Sequence, residues 1–218
     1  PHLFSSAASD VYKRQTLDYW DTIFSAFIDG DTTQVDSLLQ DSLQSFFYEL
    51  VIFQDTAYNR TFHIIREQLD TSYVDINDPE NTEDDVVGAF RNGWGMFIIN
   101  PNAEREQVII QVPHPCDDFI APYVALDLFL EVDSYAFMIN GAGREVLWTG
   151  VGNFSNSKSL SDPSRYPHTV FQKFQENVTD PLIDTDPHSP IVFAVHSFDN
   201  DTHLPRKSVI LAAGAQNP

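Results

Sequence analysis

The stretch Gln107-Val-Ile-Ile-Gln-Val-Pro-His-Pro-Cys-Asp-Asp118 decides how the fold is interpreted. Its first half is an apolar run with the character of a core strand, and that run ends abruptly at Pro113. His114, Asp117 and Asp118 follow directly. In an α/β protein, the loop that leaves the carboxyl end of a strand faces the crevice where ligands bind. The pattern therefore predicts a ligand-binding loop at the end of a core strand.

Strand and helix patterns alternate on both sides of this stretch, which favours a sheet covered by helices. The strand candidates are residues 61–66, 94–100, 107–112, 134–140, 190–196 and 209–214, and the helix candidates are residues 17–28, 33–51, 119–132 and 168–178. We predict one α/β domain, built as a three-layer sandwich with a mostly parallel or mixed central sheet. The acidic segment 75–85 is predicted to be a solvated loop.

Residues 1–15 are predicted not to belong to this fold. The run Ser5-Ser-Ala-Ala-Ser-Asp-Val-Tyr-Lys-Arg-Gln15 resembles a translated sequencing-library adapter along its whole length. We therefore expect residues 16–218 to form the single α/β domain. The core-like run 208–215 stands three residues from the end of the chain. For this reason we expect the domain to be truncated at both ends, without its native N-terminus.

Composition and charge bound the class of function. Hydrophobic residues make up 42% of the 218 residues and aromatic residues 13%, as in a folded globular chain. A net charge of −20 disfavours nucleic acid as a partner and suits a saline, secreted or periplasmic setting. No apolar run approaches the ~20 residues of a membrane span. The partner that remains is a small-molecule, peptide or glycan substrate. Because Cys116 is the only cysteine, an intrachain disulfide and a cysteine-based zinc cluster are excluded.

Two histidines and a carboxylate pair are predicted to lie at the ends of core strands. His114 follows the second core strand and His196 the fourth. These histidines, with Asp117 or Asp118, would supply three zinc ligands and leave a fourth position for water, as in catalytic zinc sites. A metal ion there activates water and polarises a scissile carbonyl. The alternative is that an aspartate caps the next helix and the histidines have separate roles.

A short motif resembles known zinc hydrolases. His114-Pro-Cys-Asp117, followed by His196, resembles the His-x-x-Glu motif and the later strand-end histidine of zinc carboxypeptidases and N-formylglutamate amidohydrolases. The resemblance covers roughly residues 94–214. It implies hydrolysis of an amide bond by a mononuclear zinc site. Here the carboxylate is an aspartate, and the late general-base glutamate of those enzymes has no counterpart.

The same resemblance implies arginines that hold a substrate carboxylate or an oxyanion. Arg144, in Asn140-Gly-Ala-Gly-Arg, and Arg165, in Ser161-Asp-Pro-Ser-Arg, are the candidates, because a guanidinium binds a carboxylate with two parallel hydrogen bonds. Arg144 and His168 are the candidate catalytic residues, and His168 is predicted to begin a helix. The alternative for each arginine is an ion pair with one of the many surface acids.

Other functions stay open. Val112-Pro-His-Pro-Cys-Asp-Asp118 also resembles the Ala-His-Pro-Asp-Asp-Glu motif of zinc sugar de-N-acetylases, with Cys116 in place of the base and Phe119 in place of the closing glutamate. A cysteine nucleophile is disfavoured because two carboxylates beside Cys116 oppose a thiolate. A non-catalytic secreted domain that binds glycans or calcium is also compatible with the acidic surface. Convergence of His114, an aspartate and His196 on one point would favour catalysis.

Overall fold

A computed structural model of the chain describes residues 6–41, 46–57, 59–70, 90–143, 161–185 and 189–197. These residues form four helices and six strands. In chain order they are α1 (Ser6–Ile28), α2 (Thr32–Leu39), β1 (Tyr48–Asp55), β2 (Arg60–Glu67), β3 (Met96–Ile99), β4 (Arg105–Val112), α3 (Ala121–Glu131), β5 (Ser134–Ile139), α4 (Val170–Thr185) and β6 (Ile191–Ala194). The predicted α/β sandwich is confirmed.

The six strands form one mixed sheet in the order β1-β2-β3-β5-β4-β6. The strands from β1 to β5 in this order pair antiparallel, whereas β4 runs parallel to both of its neighbours, β5 and β6. The mixed sheet is therefore as predicted. Because β4, β5 and β6 point the same way, the loops that leave them emerge at one edge of the sheet, namely the edge formed by the carboxyl ends of these three strands.

Helices cover both faces of the sheet, because side chains on alternate strand positions point to opposite faces. On one face α1, α2 and α4 pack around an aromatic cluster, in which the ring of Phe24 stands 4.9 Å from Phe97 and 5.0 Å from Phe174. On the other face α3 packs through Phe129, whose ring lies 5.6 Å from that of Phe137 on β5. The sheet is thus the middle layer of three.

None of the helices in the described ranges combines the length and the apolar character that a membrane span requires.

The second predicted helix, residues 33–51, was wrong in its second half. Helix α2 ends at Leu39, and β1 begins at Tyr48. β1 pairs with β2 along its whole length, from Tyr48 opposite Glu67 to Asp55 opposite Arg60. The run Tyr48-Glu-Leu-Val-Ile-Phe53 is rich in β-branched and aromatic residues, which suit a paired strand. Pairing with β2 therefore outweighed the helical spacing of the apolar residues.

Two other predicted helices begin at different residues, and two predicted segments lie outside the described residues. Helix α1 begins at Ser6, so it includes much of the stretch that resembles an adapter. Helix α4 begins at Val170, and His168 therefore precedes it. The hydroxyl of Thr169 accepts a hydrogen bond from the Gln172 amide, which fits a helix that starts after the threonine. The predicted loop 75–85 and the predicted strand 209–214 lie outside the described residues.

Tyr48 makes the stability of the fold sensitive to alkaline pH. The Tyr48 hydroxyl donates a hydrogen bond to the Gly95 carbonyl at 2.9 Å. The pKa of Tyr48 is raised well above its ordinary value, mainly because the residue is buried and secondly because Glu67 is negatively charged. The unfolded chain ionises this tyrosine from about pH 10, whereas the folded chain keeps it neutral. Above about pH 10 the folded state therefore binds more protons than the unfolded state, so the free energy of unfolding falls as the pH rises.

We expect Tyr48→Phe to lose less of its free energy of unfolding between pH 8 and pH 11 than the wild type loses. The variant gives up about 1 kcal/mol at pH 8, since it lacks one hydrogen bond. Urea unfolding at both pH values measures the two losses. Tyr123→Phe is the matched control, because Tyr123 is 75% exposed and undergoes the same chemical change. If Tyr48→Phe and the wild type lose the same free energy of unfolding between pH 8 and pH 11, Tyr48 is not the source of the alkaline sensitivity.

Candidate metal centre

His114, Asp118 and His196 converge at the edge of the sheet where β4 and β6 end. One ligand atom from each of the three residues lies within 4.8 Å of the other two. The convergence follows from the parallel pairing of these neighbouring strands, which the Val195 amide extends by donating to the Gln111 carbonyl at 2.9 Å. Both histidines therefore leave the sheet side by side. This His-Asp-His cluster can hold a metal ion.

His114 presents an unused nitrogen to the cluster. Its Nε2 lies 2.9 Å from Oδ1 of Asp162, and an ionised carboxylate can only accept a hydrogen bond. In the neutral ring this contact assigns the proton to Nε2, which leaves the lone pair of the other ring nitrogen, Nδ1, free. That Nδ1 is buried and has no hydrogen-bond partner among the described residues. A histidine held by a carboxylate on one nitrogen with the other nitrogen free is the usual arrangement of a metal ligand.

Asp118, and not Asp117, is the carboxylate of the cluster. The Asp118 side chain is buried, and its Oδ2 lies 2.7 Å from Nδ1 of His196 while its Oδ1 accepts a hydrogen bond from Ser197. Asp117 is exposed. The capping alternative is wrong for both aspartates, because Ile120 is the N-cap of α3 and no side chain caps that helix. Asp118 meets the helix through its backbone carbonyl, which accepts a hydrogen bond from the Ala121 amide at 2.7 Å.

The donor atoms of the cluster lie close to the spacing of metal ligands. Bond lengths of about 2.0–2.1 Å place two ligands of a tetrahedral zinc ion about 3.3 Å apart. Oδ2 of Asp118 stands 4.0 Å from Nδ1 of His114, and it lies at a hydrogen-bond distance, 2.7 Å, from Nδ1 of His196. A metal ion between the three residues would therefore replace this hydrogen bond or take the other nitrogen of His196. His114 and Asp118 are buried, whereas the side chain of His196 is 42% exposed. The cluster thus opens to solvent on the His196 side.

The charges around His114 also fit a bound cation. Two buried carboxylates, Asp118 and Asp162, flank its ring, and Asp162 is only 1% exposed. Buried charges are costly unless an opposite charge or hydrogen bonds offset them. Arg165 approaches Asp162, with Nε 3.6 Å from Oδ2. Asp118 accepts a hydrogen bond from the Ser197 hydroxyl and lies 2.7 Å from Nδ1 of His196, and a divalent cation between His114 and Asp118 would offset its charge.

The remaining predicted site residues lie around the cluster or outside the described residues. Arg165 borders it through Asp162, and its side chain is 42% exposed. His168 is exposed and packs against Tyr166 at 5.5 Å between ring centroids, and it contributes no atom to the converging set. Cys116 is exposed beside His114. Arg144 lies outside the described residues.

Residues that support the ligands were missed in the sequence. Asp162 fixes His114, and Ser197 holds Asp118. Asn140 links the segments that carry the cluster. Its backbone amide donates a hydrogen bond to the Val112 carbonyl at 3.0 Å, and its side-chain amide donates one to the Ser161 carbonyl at 3.2 Å. The sequence carries no local signal for Asp162, although it stands in Ser161-Asp-Pro-Ser-Arg165, where only the arginine was predicted to belong to the site.

Comparison with known proteins adds no family to this description. No protein-family model, no curated protein and no solved structure matches the chain. A function for the cluster must therefore be argued from its own geometry.

Proposed function

We propose that the protein is a zinc-dependent hydrolase that cleaves an amide-type bond at the His114–Asp118–His196 cluster. The observation that carries the proposal is the buried, unpartnered Nδ1 of His114, which points to a ligand beside a buried carboxylate. An unsatisfied buried nitrogen costs about 1–3 kcal/mol, and such a group in a folded protein needs a reason. A metal ion that accepts its lone pair is a sufficient reason.

The donor set favours zinc over calcium or magnesium. Two imidazoles and one carboxylate are offered, and imidazole suits zinc, whereas calcium and magnesium prefer oxygen ligands. Three protein ligands leave room for a fourth, which distinguishes catalytic zinc sites from closed structural ones. This choice of metal also argues against calcium binding as the role of this cluster.

When bound, zinc would supply Lewis-acid polarisation of a carbonyl and activation of water. Asp162 holds the His114 ring in the tautomer that leaves Nδ1 free for the metal. His196, the half-exposed member, lies on the side from which substrate reaches the cluster. We assign the binding of an acidic group of the substrate to Arg165, whose side chain is 42% exposed next to Asp162. Arg144 remains a second candidate for that role.

The test combines metal content with activity. We expect protein purified without chelators or metal-affinity columns to hold one zinc ion per chain. We also expect it to hydrolyse at least one compound from a panel of N-acyl amino acids, peptides and acetylated sugars. Removal of zinc with a chelator should abolish the hydrolysis, and added zinc should restore it. A protein that neither contains zinc nor retains added zinc would overturn the proposal.

A further inference from the structure

A mainly apolar groove lies on the same edge of the sheet as the metal cluster. It encloses about 740 Å³, within the range of roughly 300–1,000 Å³ that small-molecule sites occupy. Its apolar walls come from the start of β3, the end of β5 and the segments that follow β2 and precede β3. They are formed by Leu69, Phe90, Met96 and Ile139. Leu69 and Phe90 are 49% and 57% exposed, so they form an accessible rim.

The groove and the metal cluster lie at the carboxyl ends of adjacent strands, β5 and β4. Asn140 lines the groove, and its amide is hydrogen-bonded to Val112, two residues before His114. The Asn140 side chain also holds the Ser161 carbonyl, next to the residue that fixes His114. β5 and β4 are adjacent, and neighbouring strands stand about 4.8 Å apart. The groove therefore ends on the strand next to the one that leads into His114.

The polar groups of the groove do not offer a free positive charge. Its one cationic side chain among the described lining residues, Arg66, pairs with Glu49 at 2.8 Å. Glu67 adds a second carboxylate, which accepts hydrogen bonds from the Asn92 and Gly93 amides at 2.6 Å and 2.8 Å. The lining thus holds two negative groups and one positive group. A carboxylate inside the groove would meet net repulsion, whereas an uncharged chain would bury apolar surface.

From this combination we infer that the groove binds the uncharged hydrocarbon or aromatic acyl part of an N-acyl amide substrate. This inference rests on the proposed hydrolase and names the side of the scissile bond that the groove selects. The acyl chain lies along Leu69, Phe90 and Ile139, and its amide carbonyl reaches the metal cluster. An acidic group on the substrate then belongs to the amine side, toward Arg165.

Direct binding tests the groove independently of the metal. The probes are N-methylhexanamide and an analogue of equal length that ends in a carboxylate, titrated by NMR into the full chain with and without zinc. We expect the uncharged amide to bind at least about tenfold more tightly than the charged one in both forms. Equal binding of the two probes would overturn the inference.

Substitutions on the rim locate the binding. Leu69→Trp fills the groove and Phe90→Ala removes one wall, and each should weaken binding of N-methylhexanamide by about tenfold. Leu126→Trp is the matched control, because Leu126 is a leucine of similar exposure on α3, 41% against 49% for Leu69. Once a substrate is known, Leu69→Trp should raise KM for hexanoyl amides more than for acetyl amides, with little change in kcat. Unchanged binding in both rim variants, with normal circular dichroism, would overturn the groove.

The two proposals fail in different ways. A zinc-loaded protein that hydrolyses amides but shows no preference for the uncharged probe would overturn the groove alone. A protein that binds the uncharged probe through Leu69 but retains no zinc would overturn the hydrolase, and with it the role of the groove as a substrate site.

Discussion

Replacement of Asp118 with asparagine is expected to lower zinc affinity by more than about 100-fold and to abolish hydrolysis. Substitution of a residue that only supports a metal ligand costs about 10–100-fold, so loss of the carboxylate ligand itself should cost more. Asparagine keeps the shape of Asp118 and retains an oxygen that can accept from Ser197, but it removes the negative charge that faces His114 and His196. Zinc affinity is measured by competition with a chromogenic chelator, and hydrolysis on the substrate that the panel identifies.

The matched control lies one residue away. Asp117→Asn makes the same change of charge in the same loop, but its side chain is exposed and does not belong to the converging set. We expect zinc affinity in this variant to stay within about twofold of wild type, because an exposed charge is strongly screened. Circular dichroism of both metal-free variants checks that the fold is retained. The assignment of Asp118 is incorrect if Asp117→Asn loses zinc and Asp118→Asn keeps it.

The sequence pattern predicted an element of the fold correctly where both an apolar run and the residue that ends it could be recognised. The run from Gln107 to Val112 reads as a strand, Pro113 ends it, and the structure places β4 there, mostly buried in its second half and paired with a strand on each side. The region around Tyr48 was predicted as helix because its apolar residues also fit helical spacing. The choice between helix and strand there depends on a partner, β2, which a local pattern does not contain.

The candidate site likewise contains residues that could be predicted from the sequence and residues that could not. His114 and His196 could be predicted because each follows a strand, and parallel neighbouring strands bring their ends together. The choice between Asp117 and Asp118 could not be predicted, since it depends on which side chain the turn from His114 to Asp118 directs inward. Asp162 comes from a loop 48 residues away. Among 32 acidic residues, no local signal separates it from a surface aspartate.

Asp162 gives the second large expected effect. Its carboxylate accepts from Nε2 of His114 at 2.9 Å and from the Ser164 amide at 3.0 Å, and the residue is 1% exposed. Asp162→Asn can keep a hydrogen bond to the ring but loses the negative charge that makes Nδ1 a better donor to a metal. We therefore expect zinc affinity to fall by about 10–100-fold. Hydrolysis should fall at limiting zinc and recover in large part when zinc is saturating, because Asp162 positions a ligand and does not bind the metal.

A second buried aspartate separates this positioning role from a structural one. Asp133 is also buried, and it binds the Asn100 side chain at 2.7 Å and pairs with Arg60, at the edge of the sheet where β5 begins. Asp133→Asn should lower the free energy of unfolding by about 1–3 kcal/mol and leave zinc affinity unchanged, because it weakens hydrogen bonds to a charged group away from the cluster. If Asp162→Asn shows the same result, a lower stability with unchanged zinc affinity, then Asp162 does not position His114 for a metal. A fall in zinc affinity that appears only in Asp162→Asn identifies the Asp162–His114 pair as part of the metal centre.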